Sequence, residues 1–278
     1  MMNTFGTATW FGYAAPFEER LKAIKAAGFT AISTFWDKIM EEYDCPLLAQ
    51  PETADRFGLT LEHAHIPYND SIRLWQDDLD GEAYTELCID AVKTAGQCGM
   101  KTLVIHPVDK IVPPLSEYPI MFNHMRRIAD VSEQVGVRLA IENLNDKVVI
   151  EKIITDLWDN PYVGLCFDSG HNHICNGDDF RLLELFKDRL FALHIHDNNG
   201  IKDQHLLPFS DGCTVNWQKC VQMIDQTTFD GSLMLEACYP IDYDAMEETE
   251  DEAYENPAMP MTEWLETAAT SCEKVLKL

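Results

Sequence analysis

The sequence predicts an α/β fold, a single (β/α)8 TIM barrel over residues 1–278. Three observations lead there. Short apolar runs alternate with amphipathic stretches along the whole chain, and such alternation implies parallel strands joined by crossover helices. Eight of these units fit into 278 residues, a length that an α/β barrel uses as one domain. No Gly-x-Gly-x-x-Gly follows the first run, which argues against an open dinucleotide-binding sheet.

The units follow in order. TFGTATWF leads to FEERLKAIKAAG, whose Gly28 suits a helix C-cap. AISTFW leads to a weaker helix around LAQPETADRFG, and TLEHAHIP to GEAYTELCIDAVKTAGQCG. TLVIHP precedes EYPIMFNHMRRIADVSEQVG, and RLAIENL precedes VVIEKIITDLW. VGLCFDSGH leads to FRLLELFKDRL, and FALHIHDN through a long loop to NWQKCVQMIDQ. GSLMLEAC leads, through an acidic loop, to MTEWLETAATSCEKVLKL. That loop, residues 242–255, carries eight acidic side chains. It reads as a solvated loop, or as a lid, since it follows the last strand.

Composition narrows the partners. Hydrophobic residues make up 46% of the chain, enough for a sizeable core. The formal net charge of −26 repels phosphate backbones and attracts cations, so nucleic acid is not expected. The nine cysteines include no CxxC pair and lie partly in apolar runs, as expected of reduced thiols in the cytoplasm. No apolar run reaches the ~18 residues of a membrane span, and the N-terminus lacks the pattern of a signal peptide.

Side chains alternate along a strand, so apolar positions assign the outer face and their neighbours the inner one. In FALHIHDN, Phe191, Leu193 and Ile195 face out, while Ala192, His194 and His196 face in. The same reading turns Glu142, Asp168, Glu236 and His106 inward, with His63 and His65 sharing one inner face. Each strand from the third to the eighth thus ends on an inward His, Asp or Glu. Barrels place their chemistry at those C-terminal ends. Buried carboxylates require pairing or a metal ion. A His, Glu and Asp set without cysteine suits Mn, Mg, Co or Zn. His124, on the fourth helix, reads as an ordinary helix residue.

LAIENL, FDSGH, HIHDN followed by DQH, and MLEA resemble, in order, the motifs of the xylose-isomerase-like barrels. That superfamily includes sugar isomerases, ketose 3-epimerases, inosose dehydratases, hydroxypyruvate isomerases and the AP endonucleases of family 2, such as endonuclease IV. The resemblance to the 3-epimerase branch implies one divalent metal held by Glu142, Asp168, His194 and Glu236. It implies that the two glutamates move the proton and that His171 contacts substrate. That branch carries an arginine a few residues after the ligand histidine, and residues 192–212 contain none. The resemblance to endonuclease IV implies a trinuclear zinc set. The matching residues are His65, His106, Glu142, Asp168, His171, His194, Asp203, His205 and Glu236. The acidic charge and the absence of a basic, aromatic DNA-facing loop speak against a nuclease.

The expected function is therefore a divalent-metal-dependent sugar, polyol or inosose isomerase or epimerase. It works by proton transfer through a metal-stabilised enediolate, with Glu142 and Glu236 as acid and base. A trinuclear phosphodiesterase and an inosose-type dehydratase are the alternatives. His65, His106 and His171 are candidate substrate contacts, and Trp10, Phe11 and Trp36 candidate walls of a sugar pocket. His196 and Asp197 are placed to orient ligands. Only Lys202 and Arg73 stand out as basic near the mouth, which favours an unphosphorylated substrate. The expected partner is a small-molecule sugar, with no nucleic acid and no membrane; a homo-oligomer is compatible with this reading.

Overall fold

The protein is described from a computed structural model covering residues 2–37, 45–108, 112–144, 147–239 and 258–278. The acidic stretch 242–255, read above as a solvated loop or a lid, lies outside the described residues.

The strands are β1 (Phe5–Ala8), β2 (Ala31–Phe35), β3 (Thr60–His65), β4 (Thr102–Ile105), β5 (Arg138–Glu142), β6 (Val163–Asp168), β7 (Leu190–His194) and β8 (Leu233–Leu235). They form one eight-stranded parallel sheet in the order β7-β6-β5-β4-β3-β2-β1-β8. The two ends meet. Ile195 N donates to Met234 O and Glu236 N donates to Ile195 O, both at 2.9 Å. This seam closes the barrel and fixes the backbone of Glu236 at its C-terminal rim.

Helices α1 (Phe17–Ala26), α2 (Gln50–Arg56), α3 (Leu79–Cys98), α4 (Tyr118–Val135) and α5 (Lys147–Asp156) follow the first five strands. Then come α6 (Ser169–Asn176), α7 (Arg181–Leu185), α8 (Trp217–Ile224) and α9 (Met261–Val275). The long helices end as their sequences suggest. Gly99 and Gly136 take φ of 77° and 75° at the C-caps of α3 and α4, a conformation that glycine adopts without a Cβ penalty.

The outward residues Leu103, Ile105, Leu139, Ile141, Leu165, Phe167, Leu193, Leu233 and Leu235 are buried in the core between barrel and helices. Inside, small side chains fill the barrel: Val104, Ala140, Cys166 and Ala192 form a separate interior cluster. Small residues here leave the space above them to longer polar side chains. Gly6 belongs to the same economy of space, since a Cβ there would lie 2.7 Å from Met234 Cε and 2.8 Å from Ala31 O.

Three expectations are corrected. Phe191, expected on the outer face, packs against the interior cluster. A register shift in the β6–β7 pairing causes this: Leu165 pairs with Leu190 and Cys166 with Ala192, leaving Phe191 between them. Trp36, expected to wall a sugar pocket, is a core residue, 2% exposed, with its indole Nε1 donating to Ala91 O at 3.1 Å. Phe35 takes the place facing the cleft, so the next residue turns towards α3. Phe11 is likewise buried, stacked on Trp264 with ring centroids 5.3 Å apart. Helix α6, which the sequence reading passed over, starts directly at the strand end because Asp168 caps it: its Oδ1 accepts from His171 N at 2.6 Å.

Candidate active site

The inward residues converge at the C-terminal rim of the barrel. Glu142 is the centre, 1% exposed on β5. Its Oε2 lies 3.2 Å from His65 Nε2, 3.0 Å from His106 Nε2 and 3.1 Å from His194 Nδ1. Its Oε1 lies 3.2 Å from His171 Nδ1. Glu236 Oε2 approaches the same His194 Nδ1 at 3.0 Å. The β6–β7 register sets Asp168 beside His194, and the β5–β6 pairing is locked by Asn143. Its Nδ2 donates to Asp168 O at 2.9 Å and its Oδ1 accepts from Asp168 N at 2.7 Å.

Beyond this centre, the loop after β7 brings in Asp203 and His205. Asp203 Oδ2 lies 3.1 Å from His171 Nε2 and 3.3 Å from His205 Nε2. His205 has φ 46°, a strained conformation for a non-glycine residue that the surrounding structure must hold in place. His205 Nδ1 donates to Glu236 O at 2.8 Å, tying this loop to β8.

The donors fall into groups whose ligand atoms all lie within 4.8 Å of one another: His65, His106 and Glu142; Glu142, Asp168, His194 and Glu236; and His171, His196, Asp203 and His205. Glu142, Cys166 and His194 form a further group of this kind. The geometry suits cations better than internal hydrogen bonds. His194 Nδ1 is buried and has no hydrogen-bond partner, although two carboxylate oxygens lie within 3.1 Å of it. His65 Nδ1 lies 2.7 Å from Ile66 O; donating there leaves the Nε2 lone pair facing His106 and Glu142, as a metal-ligating imidazole requires. Nitrogen and oxygen donors in these numbers suit Mn, Mg, Co or Zn.

Electrostatics follow from the crowding. Burial alone would raise the Glu142 pKa, but His106 and His194, with hydrogen bonds from His106 and His171, hold it well below the usual carboxylate range. Glu236 is also raised by burial, yet His194 brings it down to about 2. Burial lowers His194 and His171; the Cys166 sulfur and the carboxylates Glu236 and Glu142 outweigh it at His194, and Asp168, Asp203 and Glu142 at His171, so both are raised well above the ordinary imidazole value. His205, opposed by the same desolvation, is held up at about 9 by Asp203. In the metal-free protein the His205–Asp203 pair therefore contributes stability that is full below pH 6.5 and lost as pH rises through about 9. A divalent ion in this cluster must displace that proton. Titrating metal-free protein with zinc at pH 7.5 is expected to release protons, and affinity at this cluster should rise at least about tenfold per pH unit up to about 9, more steeply where the raised His171 also gives up its proton. Calorimetry in two buffers of different ionisation enthalpy measures the release; binding with no proton release contradicts the arrangement.

The outer layer differs from the sequence reading in one residue. His196, read from the sequence as placed to orient a ligand, has Nε2 at 3.1 Å from Asp168 Oδ2. It also stacks on His205, centroids 3.9 Å apart, and joins the third cluster. Gly170 makes this possible, because a Cβ there would sit 1.9 Å from His196 Cε1. Asp197, by contrast, touches no ligand. It organises the loop, accepting from Trp217 Nε1 at 2.6 Å, Val215 N at 3.1 Å and Phe209 N at 3.3 Å. Arg73 pairs with Asp70 at 3.1 Å. His124 stays an ordinary helix residue, buried and hydrogen-bonded to Thr85.

A narrow cleft opens beside the centre, lined by Ala8, Thr9, Trp10, Ser33, Thr34, Phe35, His63, His65, His194 and Glu236. Trp10 faces it as expected. Thr9 and Phe35 were not anticipated, and His63 had been assigned only an inward direction. Tyr68 was also missed; its ring packs on those of His65 and His106 at 5.0 and 4.8 Å. Its place just beyond a strand ending in an inward histidine was the available signal.

Comparisons with known proteins agree with this architecture. The chain is 29% identical over 184 residues to the "Uncharacterized protein y4fM" of Sinorhizobium fredii, a match covering 61% of this chain and 58% of that protein. It superposes on a D-tagatose 3-epimerase-like protein with a TM-score of 0.72 and 18% identity, over 99% of this chain and 96% of the other. The D-psicose 3-epimerase of Clostridium cellulolyticum H10 gives a TM-score of 0.76 at 15% identity, over 99% of both chains. At such identities the likeness to the two structures establishes the fold. The sequence profile of the family described as "Xylose isomerase-like TIM barrel" matches residues 21–260, and the chain belongs to that family.

Proposed function

We propose that the protein is a divalent-metal-dependent isomerase or epimerase of a carbohydrate. One observation carries the reading: Glu142 and Glu236 approach the same nitrogen of His194 from different strands, at 3.1 and 3.0 Å. Asp168 completes that donor set. The likeness to barrels described as 3-epimerases, or like one, supports it.

Glu142, Asp168, His194 and Glu236 would hold the ion, which when bound supplies Lewis-acid stabilisation of negative charge beside a substrate carbonyl. The two glutamates do the proton work. Both are held ionised near neutral pH by the imidazoles around them, so either can accept a proton from the carbon next to the carbonyl. The other returns one from its own side. Return to the same carbon epimerises it, and return to the neighbouring carbon isomerises the sugar. His106 is pulled down by burial and stays neutral, so it adds no competing proton there. Loss of a β-hydroxyl from the same intermediate would be dehydration of the inosose type.

The test is exchange with solvent. Incubating the metal-loaded protein with a panel of ketoses and inososes in D2O is expected to place deuterium on the carbon beside the carbonyl of the substrate it turns over. Turnover with no deuterium incorporation excludes proton transfer through solvent-exchangeable glutamates.

A second reading is favoured by a specific observation. His65 and His106 on one side of Glu142, and His171, Asp203 and His205 on the other, complete further donor groups, as a trinuclear zinc phosphodiesterase requires. The net charge of −26 and the absence of Lys or Arg among the described residues lining the cleft weigh against a phosphodiester substrate. Cleavage of duplex DNA at abasic sites would promote this reading.

A further inference from the structure

We propose that Thr9 and His63 form a hydrogen-bonding subsite for hydroxyl groups of an uncharged polyhydroxy substrate, beside Glu236 and His194. The proposal rests on the carbohydrate reading above and gives it a substrate class. Thr9 lies one residue past β1 and is 1% exposed; His63 lies on β3 and is 2% exposed. Thr9 Oγ1 and His63 Nε2 are both buried and find no hydrogen-bond partner among the described residues. Buried polar atoms in folded proteins are nearly always satisfied, and these two line the same cleft.

The strand register brings them together. Ser33 on β2 pairs with Ala8 on one side and His63 on the other. Thr9 N donates to Ser33 O at 2.8 Å, and Thr9 O accepts from Arg20 Nη1 at 2.6 Å. The backbone of Thr9 is thus fully engaged and its hydroxyl is left to the cleft. A neutral imidazole has one nitrogen that donates and one that accepts. A threonine hydroxyl does both. Such groups complement the hydroxyls of a sugar, which also donate and accept. Trp10 and Phe35, in the same lining, offer apolar surface to C–H groups. Among the described residues no lysine or arginine lines the cleft, and Glu236 does, so a phosphate group meets no countercharge from them.

The test measures binding of the four D-ketohexoses and their 6-phosphates to the metal-containing protein by calorimetry. The comparison is between wild type, Thr9→Val, Thr9→Ser and His63→Leu. Thr9→Val keeps the shape of the side chain and removes only the hydroxyl; Thr9→Ser restores it. The expected result is that at least one free ketohexose binds and its 6-phosphate binds more weakly. Affinity should fall about tenfold in Thr9→Val and in His63→Leu and return in Thr9→Ser, with the metal content of Thr9→Val equal to wild type. Ketohexose binding undiminished in Thr9→Val overturns the subsite and leaves the carbohydrate reading intact; the two atoms then serve an internal water. Tighter binding of the 6-phosphates overturns the uncharged class. Failure of every sugar to bind, with cleavage of abasic DNA, overturns subsite and carbohydrate reading together.

Discussion

Glu142→Gln is expected to abolish turnover, by about 10⁴-fold or more, and to lower the bound metal per chain. Four imidazoles address this one carboxylate: His65, His106 and His194 on Oε2, and His171 on Oε1, all at 3.0–3.2 Å. Among the described residues no arginine or lysine pairs with the side chain to share the role. An amide would keep the shape and lose the anion that three donor groups have in common. It would also set an NH2 group towards ring nitrogens or an oxygen towards them without charge, so His194 and His171 lose one of the carboxylates that raise their pKa values. The stability of the metal-loaded protein should fall with the lost metal, since binding to the folded state alone stabilises it by mass action. Parallel assays of activity, metal content and melting temperature check this. A Glu142→Gln protein with full activity sinks the proton-transfer role.

Glu236→Gln is expected to cost about 10²- to 10⁴-fold in turnover with a different signature. Its side chain is 21% exposed, and of the donor groups it enters only the one with Glu142, Asp168 and His194. The His65, His106 and Glu142 group is untouched by the change. Residual metal should therefore remain, while solvent exchange at the substrate carbon is lost. Equal metal loss in the Glu142 and Glu236 variants would show that the clusters act as one unit, against the division drawn here. Folded Glu236 has its pKa lowered to about 2, so its stabilising contact with His194 is present above its ordinary value of 4.5 and lost as pH falls through about 2. The glutamine variant should lack that part of the acid-stability profile.

Much of this site was legible before the fold was known, because period-two alternation and charge act together. A Glu between outward Leu139 and Ile141 and the helix beyond has only the barrel interior to face, and a buried carboxylate needs a counterion. The same logic placed Asp168, His194 and Glu236. It failed where the alternation resets. Phe191 sits in a register shift that only pairing with β6 reveals; Trp36 keeps the parity of the core residue Ile32 and stays paired to His65 O, so its placement in a pocket wall passed over the alternation. Helix α6 is short, and its start signal is an aspartate already assigned to metal binding, so one residue with two roles hid the element. Asp203 and His205 were placed by resemblance; what brings them to His171 is a loop with positive φ at His205, which no local pattern encodes. Thr9 and His63 escaped because strand position tells which residues face inward, and not which of them lack a partner.

The central claim is that the Glu142, Asp168, His194 and Glu236 set holds a divalent ion. Elemental analysis of the gently purified protein tests it most directly, with Asp168→Asn as reference. The account predicts at least about one Mn, Mg, Co or Zn per chain in the wild type, with a lower content in Asp168→Asn. Close to three zinc ions per chain would add the His65–His106 and His171–Asp203–His205 groups and turn attention to phosphodiesters. A wild-type protein that takes up no divalent metal, even after incubation with each of these ions, would contradict the account.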